Sequence, residues 1–364
     1  MNLTKKKYLS RMNYKNTYAY LLALLLITSC VKPKEKQDNL STFLKLESGI
    51  LVLNEGLFQQ NNSTLYWIDS ATNEVTENVF LLKNDRLLGD TGNDMQRYGG
   101  KIYIVVNASS TVEILDATTL KSLKQIKMEY NGVAQQPRRI AFHANKAYIT
   151  SFDGYVNIID TASLQVTTRL EAGENPEGVA VSNNYLYVAN SGGLNFPNYD
   201  STVYAYDLTT NELVKSYHVG ANPGGVQAGN DGKIYVVKRG NYDDNPSELI
   251  QIDPTTEEVV NLEIPASSIR FKNNLLYISY MNTDTQTSNV ATYDPNSQTI
   301  INASLYNPAT VTTFYGIYPK ADGSFLILDA MGYTNTGFVR FYNTEGQLTK
   351  SINVGLNPNS IIWY

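Results

Sequence analysis

A single cysteine, Cys30, stands in a chain of 364 residues, so no disulfide can close within it. Histidine is almost as scarce. His143 and His218 are the only two, which disfavours a His-based triad or a His-rich metal site. No phosphate-loop, Rossmann or metal-protease motif occurs, so the sequence names no cofactor, no catalytic residue and no metal ligand set. The apolar run at residues 21–27 is too short to cross a bilayer as a helix. Helix signals are absent beyond this segment. Net positive charge is also lacking. The formal charge is −5, and residues 1–29 hold Lys5, Lys6, Lys7, Arg11 and Lys15 without any acid. Subtracting those five cations from −5 leaves −10, a body that repels phosphate backbones and disfavours nucleic-acid binding.

What the chain has in excess is tyrosine, 27 residues against 2 tryptophans. Tyrosine suits strand faces and binding loops alike, because its ring is apolar and its hydroxyl polar. The chain also has a repeat. A short apolar run ending in Asp or Asn recurs at Asp69, Asp116, Asp160, Asp207, Asp253, Asp294 and Asn343, with spacings of 47, 44, 47, 46, 41 and 49 residues. Short strands at this period predict an all-β fold, a seven-bladed β-propeller with one repeat per blade. Each Asp is expected to cap a turn, because its carboxylate can accept from nearby main-chain N–H groups.

The fourth repeat reads most clearly. Four strand-like runs cover residues 177–181, 185–189, 202–206 and 212–219. Linkers of the form Gly-x-Asn-Pro recur at residues 173–176, 220–223 and 355–358. Glycine is expected to permit the sharp turn, and proline to fix φ where the chain re-enters an inner strand. The last copy lies close to Tyr364, and the first repeat lacks an inner strand of its own. The C-terminal strand is therefore expected to complete blade one and close the ring.

The N-terminus has the proportions of a secretory segment. Residues 1–29 read as a lipoprotein signal peptide, with Cys30 the acylated residue and the membrane reached through that lipid anchor. Residues 30–46 read as a polar tether and residues 47–364 as the propeller.

In such a ring the loops joining second to third strands share a face with the linkers. They are the long ones here, while the opposite loops are short. Long loops on one face of a rigid scaffold are where binding usually sits. The candidate ligand-binding residues on this face are Asn54, Phe58, Asn93, Asn107, Arg138, Phe152, Asn190, Asn195, Tyr199, Arg239, Tyr242, Tyr280, Tyr315 and Tyr333. Amides donate and accept, and aromatic rings give flat contact area at low entropic cost. Residues 90–94 are the best calcium candidate, with a linker turn the favoured reading.

The run Tyr187-Val188-Ala189-Asn190 and its weaker copies at residues 103–107, 148–151 and 235–238 resemble the YVTN repeat of YncE-like seven-bladed propellers. Residues 53–56, 61–65, 89–94, 98–103, 190–193 and 197–200 are similar to the cobalamin-capturing surface lipoprotein propellers of the BtuG family, of the DUF5074 type. That resemblance implies an outer-membrane lipoprotein, at the cell surface or on the periplasmic side. It also implies capture of cobalamin or another corrinoid and delivery to a TonB-dependent transporter. The expectation is a non-enzymatic binding protein. The alternatives are a protein-interaction or surface-layer scaffold, and a lactonase-like or quinoprotein-like propeller enzyme.

Overall fold

The computed structural model describes residues 46–364. The signal segment, Cys30 and the tether up to residue 45 lie outside the described residues. The rest forms seven four-stranded antiparallel sheets, the seven blades of a propeller. In blade four the strands run, from inner to outer, Pro176–Ser182, Tyr185–Asn190, Thr202–Asp207 and Glu212–His218. Blades two to seven repeat this order. Second strands are buried almost throughout, as in Lys101–Val106 and Ile234–Lys238. Outer strands alternate with solvent, as in Glu258–Pro265.

Blade one is closed as expected. Pro358–Trp363 pairs antiparallel with Gly49–Asn54, Leu51 facing Ile362 and Val52 facing Ile361. Ile50, Val52 and Ile361 then pack with Tyr318, Leu328 and Val354 of blade seven. Burying each such side chain is worth about 1.5–3 kcal/mol, so closure removes both an open sheet edge and an apolar blade face from water.

The repeated Asp residues cap turns on the face away from the long loops. Asp69, Asp116, Asp160, Asp207, Asp253 and Asp294 each accept from the main-chain N–H two residues on, at 2.8, 3.0, 3.1, 2.6, 2.9 and 2.8 Å. Main-chain N–H groups in the same turns, foremost those of Thr72, Ser163, Thr209 and Asn296, hold the carboxyls of Asp69, Asp160, Asp207 and Asp294 below the usual range. In the seventh repeat Asn343 accepts from the Gln347 N–H at 2.8 Å.

The linkers use their residues differently from the expectation. The left-handed residue shared by all three is the asparagine, with φ of 46°, 58° and 54° at Asn175, Asn222 and Asn357. Asn tolerates that region because its short side chain can bond locally. Here the amides also staple loops. Asn175 donates to the Phe152 carbonyl at 3.1 Å, and Asn357 donates to that of Gly56 at 2.9 Å. Gly220 does have a positive φ. Gly173 and Gly355 are instead needed for space, since a Cβ would run into Asn190 and Asn54.

Helix is present where none was expected. Val79–Asn84 forms a short α-helix and Pro308–Thr310 a 3-10 turn. The outer strand of blade one is only Val75–Thr76. The chain folds over the gap, burying Val79 and Phe80. Arg86 lies on the Phe80 ring and bonds both oxygens of the buried Glu113 of blade two at 2.8 Å. In blade six the middle strands extend to Asn282 and resume at Thr287, so the connection expected at residues 281–288 is a tight hairpin.

Candidate functional site

Inner strands begin one residue after each linker bend, so the residue following the linker proline stands at the channel mouth. Arg138, Glu177, Gly224 and Asn359 follow Pro137, Pro176, Pro223 and Pro358 in this way. Asn93, Ser267 and Tyr315 occupy the matching places in the other blades.

The centre of this ring is Glu177, whose side chain is 3% exposed. Arg138 holds it with two hydrogen bonds, Nε to Oε2 at 3.1 Å and Nη2 to Oε1 at 2.8 Å. Arg239 and Arg139 stand 3.8 and 4.0 Å from Oε1. Burial alone would raise the pKa of this carboxyl. The nearby guanidinium charges, Arg138 foremost, outweigh burial and lower it to about 2. Arg138 also donates to Asn93 Oδ1 at 2.7 Å, receives the Asn93 Nδ2–H on its own carbonyl at 2.6 Å, and lies over the Phe152 ring at 4.5 Å.

Arg239 comes from the loop after the second strand of blade five. It fits because Gly224 has no side chain; a Cβ there would sit 2.5 Å from the guanidinium carbon. Deeper in the channel, Arg139 donates to the Asn93 carbonyl at 2.7 Å. Burial works against its charge, but Asp94, Glu177 and Glu55 raise its pKa above the usual value. Asp94 is raised by burial, against the pull of Arg139 and the Ile140 N–H. On the far side Tyr315 donates to Glu55 Oε2 at 2.7 Å, and Asn359 Nδ2 reaches the same oxygen at 3.3 Å. Burial first, then Glu55, pushes the Tyr315 hydroxyl pKa upward.

Outside the mouth an aromatic shelf projects from blades four and five. Phe196 and Tyr199 meet edge-on at 6.0 Å, Tyr199 and Tyr242 at 6.4 Å. Phe196 and Tyr242 are each 73% exposed. Tyr315 and Tyr333 form a similar pair at 6.0 Å, with Tyr333 exposed.

The structure thus gathers Asn93, Arg138, Phe152 and Arg239 around Glu177, and places Tyr199 and Tyr242, and Tyr315 and Tyr333, in pairs. Phe58 is exposed on its own loop. Asn195 bonds Glu174 at 3.2 Å at the surface. Other candidates are turned inward. Asn54 and Asn190 are fully buried and brace their own blades by donating to Thr64 and Thr202. Asn107 is buried and ties blade two to the Pro137 carbonyl. Tyr280 is directed outward to the Ala303 carbonyl at 2.8 Å.

Asp90 is engaged by the Gln59 and Asn61 N–H groups and by the Thr91 hydroxyl, as a linker turn would have it. Among the described residues no group of three or more His, Cys, Asp or Glu is placed to hold a metal ion. His143 bonds Asn184 on the short-loop side. Glu177, Arg139, Asn359 and Arg270 were absent from the candidate ligand-binding residues named above. Glu177 and Asn359 carried a usable signal, since each directly follows a linker proline.

No curated protein matches the chain significantly. Among solved structures, it is similar to a quinoprotein alcohol dehydrogenase-like protein from Bacteroides thetaiotaomicron. The TM-score is 0.65 at 13% identity, over 88% of this chain and 79% of that one. It is also similar to Kuenenia stuttgartiensis hydrazine synthase, with a TM-score of 0.57 at 15% identity over 71% and 85% of the two chains. At these identities the likeness is one of fold. A family model described as a domain of unknown function, DUF5074, matches residues 48–356, and the chain belongs to that family.

Proposed function

We propose that this protein is a non-enzymatic capture lipoprotein of the outer membrane. It binds a bulky, largely uncharged ligand, a corrinoid such as cobalamin, across its long-loop face and passes it to a TonB-dependent transporter. The observation that carries this reading is the aromatic shelf of Phe196, Tyr199 and Tyr242 beside an amide- and arginine-lined mouth, all on one face. Phe196 and Tyr242, each 73% exposed, offer flat apolar area to solvent. A corrinoid rim of carboxamides suits Asn, Tyr and Arg edges better than it suits a cluster of like charge.

The test is a spectral titration of the full-length protein with cyanocobalamin and with cobinamide. Saturable binding of either supports the proposal. Unchanged spectra and no heat of binding, with protein in the tens of micromolar, would remove the corrinoid.

A further inference from the structure

We infer that the central channel is a second binding site, distinct from the aromatic shelf, and that it takes a small molecule bearing an oxyanion, a phosphate or carboxylate, between Arg139, Arg239 and Arg270. The channel encloses about 720 Å³, which is ample for such a molecule.

Its walls carry four arginines, Arg97, Arg139, Arg239 and Arg270, against two carboxylates, Asp94 and Glu177. The Glu177 charge is largely met by Arg138, which bonds both of its oxygens. At 3.8 and 4.0 Å, Arg239 and Arg139 feel that carboxylate without hydrogen-bonding it. The Arg270 guanidinium carbon stands over the Tyr318 ring, 3.9 Å from its centre, and no acceptor among the described residues takes its N–H groups. The ring contact leaves the guanidinium's N–H donors free, and such a fork of donors suits an oxyanion. A cationic channel with low-dielectric walls also concentrates anions.

Room has been made opposite these groups. At the inner-strand position matching Arg139, Gly225, Ser268, Gly316 and Ser360 present at most a hydroxymethyl group. Asn359 adds an independent sign. Its Nδ2 is held by the Gly92 carbonyl at 2.7 Å and by Glu55. That fixes the amide's orientation. Its Oδ1 is buried and has no partner. A buried acceptor without a donor is costly, and a ligand hydroxyl or N–H beside the oxyanion would satisfy it.

The experiment is calorimetric titration of the full-length protein with inorganic phosphate and with citrate, against sodium chloride of matched ionic strength. Saturable binding of phosphate or of citrate is expected, and the responding salt identifies the class of oxyanion. Arg270→Gln should weaken it roughly tenfold, as loss of a charge-assisted bidentate contact does, with the unliganded melting temperature unchanged. Tyr242→Ala should leave it intact, which separates this site from the shelf. Binding equally tight in Arg270→Gln and Arg239→Gln would overturn the inference, as would no saturable binding of either salt. A failed corrinoid titration would leave it standing.

Discussion

Arg138 of blade three and Glu177 of blade four face each other across the blade junction and share two hydrogen bonds of 3.1 and 2.8 Å. Neighbouring guanidiniums of Arg139 and Arg239 make Glu177 the anionic hub of three cations, two from blade three and one from blade five. Glu177→Gln keeps the shape and removes the buried charge, leaving three partly buried cations without their counterion. Breaking one partner of a buried pair costs about 3–5 kcal/mol. A large fall in melting temperature is expected; a melt within a degree or two of the parent would refute the hub.

The same carboxyl sets a pH window. Its pKa in the folded protein is lowered to about 2 from 4.5. Its contribution is therefore full above the unfolded value and is lost as pH falls from there towards 2. At about 1.4 kcal/mol per pKa unit, this contribution is on the order of 3 kcal/mol. Chemical denaturation of the parent and of Glu177→Gln between neutral pH and the acid limit should show the stability gap narrowing only in that window. A gap that narrows near neutral pH instead would assign the effect to another group.

Ring closure rests on the Pro358–Trp363 strand and its pairing with Gly49–Asn54. Deleting residues 356–364 exposes a sheet edge and the apolar residues beneath it, so the melt should drop steeply or lose cooperativity. Ile361→Ala is the milder test. Ile361 is 6% exposed against blade seven, and large-to-small core changes of this kind cost about 2–5 kcal/mol. An unchanged melt in both would show that the ring holds without this strand.

Gly178 brings the inner strands of blades four and five together, since a Cβ there would run into the Gly224 carbonyl and the Val226 nitrogen. Gly178→Ala must push two backbones apart, and overpacking of this kind costs about 1–3 kcal/mol. Gly232→Ala, where a Cβ meets nothing within 4 Å but φ is +80°, separates conformational strain from crowding. If crowding dominates, Gly178→Ala melts lower than Gly232→Ala; the reverse order would say that strain is the larger effect.

On the aromatic shelf, Phe196→Ala and Tyr242→Ala remove exposed rings. They should leave the melt nearly unchanged and lower affinity for a corrinoid by roughly tenfold or more each, as for interface hot spots. Equal affinity in the double variant would move the binding surface elsewhere.

The blade count, the closing strand and the capped Asp turns were legible from residues alone, because each depends on contacts within about one repeat or on a pattern that recurs. Asp116 and its turn lie a few residues apart, and their chemistry needs no knowledge of the ring. The short helix at Val79–Asn84 was not legible, since it forms only because a truncated outer strand leaves apolar surface for Phe80 to cover. The candidate site divided in the same way. Tyr242 and Arg239 were found because they sit in a conspicuously long loop. Asn54 and Asn190 share that segment type, but a one-residue difference in strand register decides whether an amide meets solvent or braces a threonine. What only the tertiary structure decided is the meeting of Arg138, Glu177, Arg239 and Asn359 at one mouth. They come from segments far apart in the chain, and only the curvature that closes seven blades into a ring turns three inner strands and the Arg239 loop towards a common axis.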